Sequence, residues 1–229
     1  MDEKWYKTEW NKLIVEESYF NNIDTDIWQL EKDRDYSFIE RYISKDMRVL
    51  DLGCGLGKMA EMLHDKVKEY YGVDISDGAI EICKKRNQDK KNAFFFSNNG
   101  FDLRDFDDNY FDFVFSIVTF QHIKRDIIIG YLKEIVRVLK DDGNFALQFL
   151  NKMYYHTDAF YDNLEKTTEE KTWKFGGSIA SFSPEEINFL FNELNTKCQV
   201  MIFEEFNKGK FSKLNPGNFP WLFVVKEKK

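Results

Sequence analysis

One stretch limits what this chain can fold into more than any other. Met47 to Leu52 is an apolar run broken by a single carboxylate, Asp51. Glycines then stand at alternate positions, Gly53, Gly55 and Gly57, and a helical pattern opens at Met59 with Met62 and Leu63 on one face. This reads as a buried strand, a tight turn and a helix start, the unit from which parallel α/β sheets are built. Glycines in such a turn let the backbone approach a ligand with no Cβ in the way.

The residues around the turn narrow the ligand. A dinucleotide fingerprint requires a third glycine where Lys58 stands here. A buried Asp51 would repel a pyrophosphate but attract a ligand carrying an ammonium and a sulfonium. S-adenosylmethionine (SAM) carries both and has no phosphate. Tyr70 to Asp74 reads as a second strand ending in an acid, and Asp74 falls 21 positions after Gly53. That is where a ribose-binding carboxylate falls in Rossmann-like folds. Ile75 would pack beside the adenine, and Ser76 is placed to cap the next helix.

Val49 to Gly57, VLDLGCGLG, resembles the first motif of the class I SAM-dependent methyltransferases. Phe111-Asp112-Phe113-Val114 is similar to the family's fourth strand, Gln121-His122-Ile123 to its frequent H-H-I segment, and Arg137 to Gly143 to its R-V-L-K-P-G-G turn, with Asp141 and Asp142 replacing the proline and first glycine. The resemblance runs from about Tyr36 to Lys226. It implies an α/β fold, a seven-stranded, mostly parallel, doubly wound sheet in the order 3-2-1-4-5-7-6 with the seventh strand antiparallel. It also implies SAM as cofactor, with Asp51, Gly53, Cys54, Gly55, Asp74 and Ile75 around it. After the third strand (Ala93 to Phe96) the family carries an acid for the adenine amino group and a following amide for a ring nitrogen. Asp102 and Leu103 match this best; the alternative register is Asn99–Gly100. Ser116 and Gln121 would lie beside the methyl donor, because ligands in open α/β sheets sit beyond the carboxyl ends of the strands. The N-P-P-Y-type segment of enzymes that methylate exocyclic amino groups of bases is absent, with Phe115 to Val118 in its place.

His122, and secondarily His156, are the candidate general bases for a hydroxyl acceptor; an ordinary capping or hydrogen-bonding histidine is the competing reading. Residues 1–35 are expected to form a helical lid, with Trp5, Tyr6 and Trp10 as candidates to touch ligand. Residues 151–182, rich in aromatics including Tyr155, read as an insertion after the fifth strand. It would act as an acceptor lid, or else as the surface of a homodimer. Ser183-Pro184-Glu185-Glu186 restarts the fold as a strong helix start.

Composition sets outer limits. A chain of 229 residues with 3 prolines and no Ser/Gly-rich linker suits one domain over 1–229. The net charge of −7 and pI near 5.2 tilt against nucleic acid and towards a small-molecule methyl acceptor. Cys54, Cys83 and Cys198 are too scattered for a metal motif or disulfide framework, so no metal is expected. The start of the chain has no apolar signal region, and no run approaches a membrane span of about 18 residues. A cytoplasmic protein is the expectation. A protein or RNA methyltransferase, or a SAM-binding partner subunit without activity, are the alternatives.

Overall fold

The computed structural model describes residues 3–12, 33, 35–152, 180–202 and 221–226. Its centre is one sheet of eight strands. These are β1 (Arg48–Leu52), β2 (Glu69–Asp74), β3 (Ala93–Ser97), β4 (Phe111–Ser116), β5 (Leu139–Asn151), β6 (Ser181–Phe182), β7 (Cys198–Ile202) and β8 (Trp221–Lys226). The order is β3-β2-β1-β4-β5-β8-β7, with the two-residue β6 added alongside β5. Strands β1 to β6 pair in parallel, while β8 runs antiparallel to both β5 and β7. Setting β6 aside, this is the topology that the resemblance implies, with one short strand more than expected.

The central strands are apolar on both sides because helices cover both faces. Phe111, Phe113 and Phe115 of β4 are all fully buried, Phe113 and Phe115 on one face and Phe111, across a register shift, on the other, each contributing roughly 1.5–3 kcal/mol. Helices α2 (Lys58–Leu63) and α3 (Asp77–Arg86) pack on one face with Phe113, Phe115 and Tyr70; α4 (Arg125–Val138) and α5 (Pro184–Glu193) cover the other, over Phe111 and Val114. Ser76 caps α3 by accepting from Ala79 N, and α5 opens with a full capping box between Ser183 and Glu186. Strand β5 joins the sheet at Leu139, opposite Phe111, and after a register shift continues with Asn144 opposite Phe113. An N-terminal helix, α1 (Glu3–Asn11), packs against α3. Among the described residues, no helix is long and apolar enough to cross a membrane.

Candidate active site

The carboxyl ends of β1, β2 and β4 converge where the strand order reverses, and the glycine turn lies there. Gly53, immediately after β1, has φ +81°, and a Cβ on it would stand 2.3 Å from the Thr119 side chain. Thr119 in turn donates towards the carbonyls of Ile117 (3.0 Å) and Leu52 (3.3 Å), so it cannot easily yield. The amides of Gly53 and Cys54 both donate to the Val73 carbonyl at 2.8 and 3.0 Å, Gly57 N donates to Cys54 O at 2.9 Å, and Gly55 N donates to Asp74 Oδ2 at 2.9 Å. With these donors turned inward, the loop is not the ring of free amides that cradles a phosphate.

Two buried acids flank the turn. Asp51 is 3% exposed and accepts a short hydrogen bond from the Tyr70 hydroxyl, also buried, on the neighbouring strand. Burial pushes the Asp51 carboxyl up to about 7; the Tyr70 hydrogen bond opposes the rise and the Asp74 charge adds to it. Burial also raises Asp74, against hydrogen bonds from the amides of Ser76, Gly55 and Ile75. Asp74 Oδ1 accepts from Ser76 N and Oδ2 from Gly55 N, both at 2.9 Å, and each oxygen keeps a lone pair for a further donor. Two carboxylates that raise each other's cost of ionisation form a site that a cation relieves.

Beyond β4 the backbone is strained. Val118 adopts φ +56°, a left-handed conformation that costs a β-branched residue on the order of 1–3 kcal/mol, and its side chain is 40% exposed. Its amide donates to Gln148 Oε1 at 2.7 Å, from a glutamine buried inside the sheet. Ser116 is also buried, and its hydroxyl donates to the Leu52 carbonyl at 2.8 Å, tying β4 to the end of β1. Phe120–His122 then form a 3₁₀ turn. The Gln121 side chain is 7% exposed, and its Oε1 has no hydrogen-bond partner among the described residues. The His122 amide closes on Thr119 O at 3.0 Å, and its ring meets Trp10 edge-on with centroids 5.3 Å apart.

That contact brings α1 over the glycine turn. Trp10 also packs with Leu56 and Ala79, and Asn11 Oδ1 accepts from Ser76 Oγ (2.7 Å) and Gly78 N (3.0 Å) at the start of α3. Lys7 pairs with Asp77 at 2.9 Å. Trp10, His122 and the loop residue Leu56 thus share one corner of the molecule.

At the adenine end the geometry departs from the expectation. Leu103 is buried in the core and its amide donates to Glu134 Oε2 at 3.0 Å, so it is not directed at a ligand. The Asp102 carboxylate takes hydrogen bonds from Arg104 Nε (2.9 Å to Oδ1) and Asn99 Nδ2 (3.0 Å), chiefly the former, which hold its carboxyl down at about 2. Gly100, at φ +80°, lies against Ile75, whose Cδ1 would be 2.4 Å from a Cβ there. The alternative register, Asn99–Gly100, is therefore the one that meets Ile75.

His156 and Tyr155 lie outside the described residues, as do the side chains of Trp5 and Tyr6. Sequence reasoning missed Tyr70, Asn11 and Gln148. Tyr70 had a signal available: it stands opposite Val49 in β2, two positions behind Asp51, so a tyrosine there can reach forward to the acid.

The arrangement defines a class: the fold is that of the class I SAM-dependent methyltransferases. Within it, residues 50–147 match the model of the methyltransferase domain family. An uncharacterized methyltransferase from Staphylococcus carnosus is 30% identical over 135 residues, 54% of this chain and 61% of its own length. The chain thus spans about three-fifths of that curated relative. Among solved structures, the YcgJ protein of Bacillus subtilis superposes with a TM-score of 0.63 at 19% identity, over 83% of this chain and 96% of that one. Phosphoethanolamine N-methyltransferase 2 of Haemonchus contortus, solved with S-adenosyl-L-methionine, gives 0.66 at 16% identity, over 96% of this chain and 60% of that one.

Proposed function

We propose that this protein transfers the methyl group of SAM to an oxygen or nitrogen of a small-molecule acceptor, such as a sugar, metabolite or natural-product intermediate. One observation carries the reading: a wholly buried, tyrosine-held Asp51 beside a glycine turn whose amides are bonded inward. That pairing suits a cationic, phosphate-free ligand. Asp51 and the unpartnered Gln121 Oε1 are assigned to the ammonium, Asp74 to the ribose hydroxyls, and Gly53, Cys54 and Gly55 to the floor of the site. Ile75 with Asn99–Gly100 is assigned to the adenine in preference to Asp102 and Leu103. Ser116 acts indirectly, by holding the end of β1.

SAM, when bound, supplies an already activated methyl group. The chain's task is then to position the acceptor and exclude water. The strained Val118 and the 3₁₀ turn after it form the acceptor side. Trp10 and α1 act as a lid within a single domain, and residues 151–182 are assigned as the second lid. For a hydroxyl acceptor, His122 accepts the proton at a ring nitrogen; an amine acceptor needs only to be unprotonated. A cytoplasmic location remains part of the proposal.

A screen with radiolabelled SAM over sugars, amines, phenols and bulk RNA tests this. Label in a small-molecule fraction is expected. Label confined to protein or RNA would move the assignment to those acceptors, and tight NAD binding without SAM binding would overturn the cofactor itself.

A further inference from the structure

Strand β3 ends the sheet, and among the described residues nothing pairs with its outer edge. Protein edges of this kind are normally blunted by a charge, a proline or a bulge. From Asn92 to Asn98 this edge has none: the run is Asn-Ala-Phe-Phe-Phe-Ser-Asn. Phe95 is buried, but Phe94 and Phe96 are 37% and 45% exposed on the opposite face. No helix lies between β3 and β4 to cover them.

The backbone polarity of the edge is set by its pairing with β2. Asn92 O accepts from Tyr70 N at 2.8 Å, and Asn98 N donates to Asp74 O at 3.0 Å. The even-numbered residues therefore bond inward, and the N–H and C=O groups of Phe95 and Ser97 and the C=O of Ala93 point out, while the Ala93 amide donates to Lys90 O at 3.4 Å. The sequence is close to palindromic about Phe95. In an antiparallel pair of two copies centred there, Phe95 meets Phe95 and Ala93 meets Ser97, each with outward-facing groups opposite outward-facing groups. Phe94 meets Phe96 at the non-hydrogen-bonded positions, where side chains approach most closely. A register centred between two residues would set inward-bonded groups against the partner's outward-facing ones and could not form, and of the registers that can form, the one centred on Phe95 is the one the near-palindrome matches.

Charge and shape agree with the same register. It carries the exposed Lys91 of the second copy to the carboxyl end of β3, where the exposed Asp105 and Asp107 stand. A cavity of roughly 330 Å³, lined by Tyr71, Phe96, Phe106 and Tyr110 with those two acids, opens beside Phe96. The Phe94 ring of the second copy would arrive at it.

We propose that β3 is the interface of a two-fold dimer, in which two copies of this chain join antiparallel through Ala93–Ser97 into one continuous sheet. This surface is independent of the methyltransferase reading. Light scattering of the full chain across a concentration series should give twice the monomer mass at the upper end. The doubly substituted F94K/F96K chain, altered only at exposed positions, should remain monomeric with an unchanged circular dichroism spectrum. Hydrogen exchange on the unsubstituted protein gives a readout that needs no variant. Protection of the outward-facing Phe95 and Ser97 amides should rise about tenfold or more with concentration, in step with the mass. A monomer at every concentration overturns the proposal and leaves the edge to a different protein. Protection that is high but independent of concentration also overturns it, since another segment of the same chain would then cover the edge. A dimer unaffected by F94K/F96K, with exchange at 92–98 unchanged, places the interface elsewhere.

Discussion

Replacing Tyr70 by Phe removes one oxygen from the core and tests the electrostatic logic of the cofactor site. The Tyr70 hydroxyl donates to Asp51, and that hydrogen bond opposes the rise that burial imposes on the carboxyl. A hydrogen bond to a charged group contributes about 1.5–3 kcal/mol. At about 1.4 kcal/mol per unit, its loss lifts Asp51 from about 7 to about 8–9. At pH 7.5 the ionised fraction then falls from about three-quarters to between about a quarter and about 3%. If the ammonium of SAM pairs only with the carboxylate, the dissociation constant rises roughly 3- to 25-fold at that pH. Both proteins become ionised as pH climbs past about 9, so the ratio of their affinities should close towards one. Calorimetric titration with SAM at several pH values measures this ratio directly, and the ligand's own titration is common to both proteins and cancels. A ratio that stays constant across pH would mean that Tyr70 merely packs. No loss at pH 7.5 would mean that Asp51 does not hold the ammonium.

Other outcomes follow from the same geometry. The folded-state carboxyl of Asp51 lies at about 7, above its ordinary value of 3.8, so its contribution to stability is full below about pH 4 and is lost as pH rises through 7, by about 4 kcal/mol. Asp51→Asn, which cannot ionise, should therefore flatten the fall of melting temperature between about pH 4 and 7 while abolishing SAM binding; parallel melting curves would refute the assignment. Asp74→Ala should weaken SAM severely in calorimetry and also free the amides of Gly55 and Ser76, lowering stability by about 1–3 kcal/mol in urea titration. Unchanged affinity would remove the ribose role. Gly53→Ala forces a side chain to φ +81° against Thr119, a loss of at least about 1–2 kcal/mol that a shortened Thr119→Ala partner should only partly relieve. Val118→Asn should raise stability by about 1 kcal/mol, since asparagine tolerates the left-handed region. It should reduce methyl transfer without changing SAM affinity, which separates the acceptor side of the site from the donor side.

What could be read from the residues alone was whatever is local along the chain. The glycine turn, the acid ending β2, the Ser76 cap and the Ser183 capping box each depend on residues within a few positions of one another, and each has the predicted form. What failed to be legible depends on tertiary partners. Leu103 reads as the residue after an adenine-binding acid, but its amide is taken by Glu134, 31 residues on, and no local pattern announces that contact. Asp102 is claimed by Arg104, whereas Gly100 seats on Ile75, and neither contact is announced by a local pattern. Asn11 is 65 residues from the Ser76 hydroxyl it accepts from, so an ordinary helix residue becomes a clasp for α3 only once the fold is closed.

This difference explains why the donor half of the site is the more readable half. A cofactor common to a fold would be held by the turns that the fold itself requires: the βα glycine loop joins β1 to α2, and β2, ending at Asp74, finishes beside it. The proposed acceptor half rests on residues with no such obligation. Val118 is held in a strained conformation by Gln148 from the next strand, and His122 is faced by Trp10 from a helix that precedes the sheet. Neither pair is close in sequence, and neither is needed to build the sheet, so both are free to differ between chains that share the donor site. Specificity for the acceptor is therefore expected to follow the Val118–His122 corner and its lid, and substitutions there should change which molecule is methylated before they change how SAM is bound.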